Sequence, residues 1–282
     1  MDCLKTEIMK ISGHIMKPLL WMGLSFLFIT PGCNQVPLTG RSQMAFIPES
    51  TLMEMSLTSY GDFLKSNTLS SNSSQTEMVK RVGSRIANAV EKYLADNGFA
   101  NRLNDFKWEF NLVDDDTPNA WAMPGGKVVV YSGILPLTRN EDGLAVVIGH
   151  EIAHAVARHG NERMSQGLLV QMGGIAISQA LKEKPEATQA LFLGAYGAGA
   201  QVGLMLPYSR KHEYEADELG LIFMAMAGYN PEEAVSFWTR MSQLGGTRPP
   251  EFLSTHPVDA SRISRIRQVM PKAMSYYKSP GR

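Results

Sequence analysis

The sequence predicts an α+β fold, mostly helical around a small antiparallel sheet, and three observations predict it. Two strand-like runs lie together between Phe106 and Tyr131, helical patterns fill the chain from there to its end, and no helical repeat of about 34 residues interrupts that order. The 282 residues suffice for one large domain or two small ones, and a hydrophobic content of 44% supplies a sizeable core. The 27 basic and 27 acidic residues cancel to a formal net charge of zero. That balance lacks the basic footprint of a nucleic-acid binder.

At the amino terminus, Lys10 and Lys17 precede an uncharged apolar run from Pro18 to Ile29, the order of an export signal. The run is too short to cross a bilayer, which takes roughly 20 apolar residues. The stretch from Met16 would be a complete signal by itself, so Met16 is a candidate true start. Gly32-Cys33 at its end resembles a bacterial lipobox, although Thr30 and Pro31 depart from that pattern. With Cys3 removed, Cys33 would be the lone, unpaired thiol of the exported chain, the expected site of a lipid anchor. These features divide the chain into a signal peptide over 1–32, a lipid-anchored linker over 33–47, the main domain over 48–275 and a tail over 276–282. They place it on the periplasmic side of a Gram-negative envelope.

Within the main domain, Pro48 to Leu64 can form a helix. Glu77 to Leu94 forms a second, with Val79, Val82, Ile86 and Val90 on one face. Phe106 to Val113 alternates apolar and polar residues, the period of a half-buried strand. After a turn at Asp114 to Pro118, Pro124-Gly125-Gly126 leads tightly into the strand Lys127 to Tyr131, whose Val128 and Val130 could offer an edge to an extended peptide. Leu144 to His159 is a helix. Thr138 and Glu141 have capping-box spacing, Asn140 is a rival cap, and Gly160 is a fitting terminator. A further helix begins at Ser209 and ends at Gly228. Ala190 to Leu206 carries no charge and is expected to be a buried helix, a glycine-rich loop or a flap, because a membrane crossing there would separate His154 from Glu213.

The chemistry lies in His150-Glu151-Ile152-Ala153-His154. Four residues along a helix put the two imidazoles about 40° apart around the axis and about 6 Å along it, so both can reach one metal ion. Glu151 lies on the same side. It can act as general base on the water of a catalytic zinc without being a ligand. A catalytic zinc takes three protein ligands, so a third is needed. His159, five residues beyond His154, points elsewhere and suits the end of the helix. Glu213 and Asp217 share a face of the later helix, where one can bind the metal and the other orient a ligand histidine; Glu215 and Glu218 compete with them.

Together, His150-Glu151-x-x-His154 and Glu213-x-x-x-Asp217 resemble the zinc metallopeptidase family of the CAAX prenyl proteases, the heat-shock membrane protease X and the mitochondrial overlapping-activity peptidase. The similarity extends to Thr39-Gly40-Arg41, Asn119-Ala120-x-Ala122-x-Pro124-Gly125-Gly126, Ser209-Arg210, Gly228-Tyr229-Asn230-Pro231 and Thr255-His256-Pro257. The exported, lipid-anchored bacterial branch is the nearest in pattern. The resemblance implies a zincin-like fold, one zinc per chain held by His150, His154 and Glu213, and Asp217 in support. It also implies hydrolysis of peptide bonds in misfolded or envelope proteins bound in extended form. His256, Arg210, Tyr208 and Arg262 are candidate oxyanion donors, with His256 first by the family pattern; alternatively His256 occupies the open coordination position of a resting enzyme. A second reading is a catalytically silent zinc-binding chaperone or regulatory module. Glu151 opposes it, since a purely structural site has no use for that carboxylate.

Overall fold

The computed structural model describes residues 33–244, 251–257 and 260–277; the expected signal peptide over 1–32 lies outside them. Helix α1 runs over Glu49–Ser66 and helix α2 over Ser73–Asp96. The predicted stripe on α2 is buried, with Val79, Val82, Ile86, Val90 and Leu94 turned to the core. Asn72 caps α2 through its side-chain oxygen, which accepts from Gln75 N–H.

Strand β1 (Cys33–Gln35) pairs antiparallel with β2 (Ser42–Met44) in a separate hairpin, so the segment expected to be a linker is folded against the body. The main sheet holds β3 (Glu109–Val113), β4 (Ala120–Met123) and β5 (Lys127–Tyr131) in the order β3-β5-β4. It is mixed and not wholly antiparallel: β3 runs parallel to β5, and only β4 is antiparallel to it. Alternation in a sequence reports a half-buried strand and carries no information on pairing direction. The placement of Val128 and Val130 at an edge is also corrected. Val128, Val129 and Val130 are fully buried in the central strand, as a continuous apolar run suits. The free edge belongs to β4.

After a short helix α3 (Leu135–Thr138), α4 spans Glu141–Val156 and is buried at every residue from Gly143 onward. Asn140 is its cap, accepting from Gly143 N–H at 2.8 Å. The capping box does not form: Thr138 Oγ1 donates to Leu135 O and Glu141 pairs with Arg81. Nor does Gly160 end the helix. Arg158 takes the left-handed conformation (φ 57°) and the chain restarts at once as α5, His159–Ala180.

Helix α6 (Glu186–Ala200) passes through a single π turn, Gln201–Met205, into α7 (Leu206–Met226), so Ser209 lies inside a helix instead of capping one. The uncharged stretch before it is helical but not buried: α5 packs along one side of α6, where Tyr196 donates to Val170 O, while Leu191, Phe192 and Val202 are exposed. Among the described residues no helix is long and apolar enough to cross a membrane. Helices α8 (Glu233–Ser242), α9 (Glu251–Thr255) and α10 (Ala260–Met274) close the described fold. Helix α4 lies against α7, α2 and β4, and the two glycines Gly149 and Gly220 let α4 and α7 touch main chain to main chain.

Candidate metal centre

The crossing of α4 and α7 brings together the residues that the sequence spacing singled out. His150 and His154, one turn apart on α4, face each other with Nε2 atoms 3.0 Å apart. Glu213 on α7 reaches between them, Oε2 lying 3.3 Å from His150 Nε2 and Oε1 3.4 Å from His154 Nε2. His256, just past α9, adds its Nδ1 at 2.9 Å from Glu213 Oε2 and 3.2 Å from His150 Nε2. One potential ligand atom from each of the four lies within 4.8 Å of the others. The Glu213 neighbours Asp217 and Arg262 form a layer behind the cluster. His150 Nδ1 is 3.0 Å from Asp217 Oδ1, and Asp217 accepts two hydrogen bonds from Arg262, at 2.7 and 2.8 Å. Arg262 in turn lies over the Trp238 ring, 3.6 Å from its centroid.

The electrostatics of this pocket favour a cation. Burial opposes charge on His150, yet the Asp217 and Glu213 carboxylates raise its pKa to about 9. His154 moves the opposite way, well below its ordinary value, because burial dominates and His150 already carries the local positive charge. Burial alone would raise Glu213, but the imidazoles of His154 and His256 and the hydrogen bonds from His150 and His154 hold it well below the usual carboxylate range. Glu213 Oε1 is buried without a hydrogen-bond partner among the described residues. A buried carboxylate oxygen left unpaired costs free energy that an ion among these donors would offset. Two imidazoles, one carboxylate and a fourth nitrogen are a donor set that fits zinc.

Glu151 is buried on the side of the cluster facing a cleft. Burial pushes its pKa above the ordinary value, against the pull of His256 and His150 and a hydrogen bond from the Ala122 backbone. The other oxygen, Oε1, lacks a hydrogen-bond partner among the described residues and lies 3.4 Å from His256 Nε2. The cleft encloses about 270 Å³ and is lined by Ala120, Trp121 and Ala122 of β4 on one side and by Glu151, His154 and His256 on the other. Trp121 is fixed by edge contacts with Tyr60 and Phe63.

Of the other candidate donors, Arg262 is buried against Asp217, and Arg210 lines a different hollow beside Tyr214 and Pro257. The Tyr208 side chain lies outside what the structure describes. Glu218 is bonded to Lys272, away from the cluster. His159 is the residue that the spacing argument misplaced. It is fully buried beside His154, with Nδ1 2.9 Å from His154 Nδ1 and Nε2 3.0 Å from Glu215 Oε2. Burial lowers its pKa to about 4, leaving it neutral near pH 7. A fifth residue on an unbroken helix would face away; the left-handed Arg158 returns it to the site.

Residues 74–270 match Peptidase family M48. The chain is 37% identical over 190 residues to the fission yeast protein "Mitochondrial metalloendopeptidase OMA1", covering 67% of this chain and 53% of that protein. The baker's yeast protein of the same name is 31% identical over 97% of this chain and 79% of its own length. The "Beta-barrel assembly-enhancing protease" of Escherichia coli is 31% identical over 57% of this chain and 34% of its own. The chain thus spans about half the length of the fission yeast relative. Matches from a plant and from animals carry the mitochondrial name as well. These findings overturn the placement in a Gram-negative envelope, since the fungal, plant and animal relatives are named as mitochondrial; they give no support to a signal peptide or to a lipid on Cys33. The lipobox resemblance rested on a few residues at one end, whereas the matches to mitochondrial proteins extend along most of the chain.

Proposed function

The chain belongs to Peptidase family M48, and from that premise we propose that it is a zinc-dependent metalloendopeptidase acting on unfolded segments of protein. The observation that carries the reading is the juxtaposition of the His150, His154 and Glu213 donors with the Glu151 carboxylate, one oxygen of which has no hydrogen-bond partner among the described residues, in a cleft bordered by a strand edge. His150, His154 and Glu213 would hold the zinc, with Asp217 orienting His150 through Nδ1. Zinc supplies Lewis acidity there, polarising a peptide carbonyl and easing the deprotonation of water.

The remaining steps belong to the protein. Glu151 takes the proton that water loses on attacking the carbonyl carbon, and delivers it to the amide nitrogen as the C–N bond breaks. Its buried position, which raises its proton affinity, suits both halves of that transfer. The edge of β4 can hold an extended substrate through main-chain hydrogen bonds, which makes selection depend on the substrate's extension more than on its sequence. His256, whose ring lies among the potential donors, could hold the metal as well, and would then compete with a substrate carbonyl for it.

The test is metal content together with casein proteolysis, for the wild type beside Glu151→Gln. Zinc at one per chain with proteolysis abolished by the glutamine supports the reading. Zinc without proteolysis in the wild type would favour the silent metal-binding module.

A further inference from the structure

Asp217 supports His150, and His154 has a longer support of its own. Its Nδ1 meets His159 Nδ1 at 2.9 Å, and His159 Nε2 meets Glu215 Oε2 at 3.0 Å. Glu215 accepts from Arg41 Nε at 2.9 Å and from the Thr39 hydroxyl. Arg41 also forks both terminal nitrogens onto Glu162, at 2.9 and 2.7 Å. Thr39 and Arg41 lie in the connection between β1 and β2, more than a hundred residues away in sequence from all their partners here.

The proton positions along this chain are determined by one end. Two Nδ1 atoms facing each other can share only one proton. His154 Nε2 points into the donor cluster, so its lone pair is there and its proton is on Nδ1. That proton is donated to His159 Nδ1, which leaves the His159 proton on Nε2, directed at the Glu215 carboxylate. Each link then has one donor and one acceptor. The ring plane of His159 is held by stacking on His212, with centroids 4.3 Å apart and planes within 17°.

We propose that Arg41, Glu215 and His159 form a positioning relay through which the N-terminal hairpin fixes the tautomer and orientation of His154 and thereby sets the affinity of the centre for its metal. The relay rests on the reading of His150, His154 and Glu213 as ligands. It makes the hairpin part of the metal site, although Thr39 and Arg41 are not among the cluster's donors.

Three variants of the full chain test it: His159→Ala, His159→Gln and Arg41→Ala. The readouts are the zinc dissociation constant from chelator competition, the visible spectrum of the Co(II)-substituted protein, and the melting temperature of the metal-free form. His159→Ala should weaken zinc binding roughly 10- to 100-fold and alter the Co(II) spectrum. His159→Gln should restore most of the affinity, because its amide oxygen accepts where Nδ1 did and its amide nitrogen donates to Glu215. Arg41→Ala should weaken binding in the same direction by less, and it decides the matter if His159→Ala does not fold. Variants that melt lower but bind zinc within about twofold of wild type would reduce these residues to a structural role and overturn the relay. A wild type that binds no zinc overturns the ligand assignment itself, a different result from a wild type that binds zinc and variants that bind it equally well.

Discussion

Gly149 and Gly220 touch main chain to main chain where α4 crosses α7: a Cβ on Gly220 would lie 2.9 Å from both Gly149 C and His150 N. The obstacle is the backbone of the ligand-bearing helix, so no side-chain rotation can make room. Gly220→Ala should therefore push α7 away from α4, lowering stability by about 1–3 kcal/mol and weakening metal binding through the displaced Glu213. Calorimetry and chelator competition on the same preparation check both effects. An unchanged melting temperature would mean that the helices can separate at no cost.

Glu151→Gln should retain zinc and lose turnover by roughly 100- to 10,000-fold, the range for removal of a general base. His150→Ala and His154→Ala should lose metal and activity together. Metal analysis beside a proteolysis assay separates the two patterns, and an active glutamine variant would remove Glu151 from its assigned role.

His256→Ala should raise turnover. The Nδ1 of His256 sits among the donor atoms, 2.9 Å from Glu213 Oε2, and its removal leaves a position for the substrate carbonyl. A fall of roughly 100-fold or more with zinc content unchanged would instead make His256 an oxyanion donor. The two outcomes differ in sign, so a single turnover measurement distinguishes them.

Arg262→Ala should destabilise the fold by about 3–5 kcal/mol, because it leaves Asp217 buried without its bidentate partner. Adding Asp217→Asn should recover part of the loss, as the remaining group is then uncharged. Chemical unfolding of the single and double variants gives the comparison; additive losses would show that the pair is not coupled.

Burial would raise the Glu162 pKa, but hydrogen bonds and charge interactions with His212 and Arg41 hold it well below its ordinary 4.5. A carboxylate with a depressed folded pKa adds stability above its unfolded value, and that contribution is lost as the pH falls through the folded one. The melting temperature should thus drop as the pH is lowered from about 5, and drop less steeply in Glu162→Gln. Parallel curves for the two proteins would assign the acid sensitivity to other groups.

Much of the site could be read from the sequence because helical spacing is rigid. His150, Glu151 and His154 are related by one turn, as are Glu213 and Asp217, so their faces follow from counting. The α2 stripe was legible for the same reason. What depends on a single dihedral or on pairing between distant segments was not. The left-handed Arg158 ends α4 early and turns His159 inward, and no residue type announced it, since glycine follows two positions later and plays no part. The parallel pairing of β3 with β5 depends on where the chain between them crosses, which leaves no trace in the alternation of either strand. Helix α6 misled the burial expectation because its composition is that of a core helix, whereas its surroundings leave it exposed. The role of the β1–β2 hairpin could not be inferred from its turn chemistry, which describes a bend and says nothing of what the bend reaches.

The turn at Arg158 also sets how the site can be copied or altered. A protein engineer who grafts only the five positions from His150 to His154 onto another helix would move the ligands and leave behind the residue that steadies one of them. The transferable block is the ten positions from His150 to His159, including a residue that accepts a positive φ at the joint. Within that block, inserting or deleting a single residue between His154 and His159 would swing the second imidazole by about 100° and detach it from its partners. Length is therefore as strict a requirement here as residue identity, and loop-shuffling libraries should leave this segment intact.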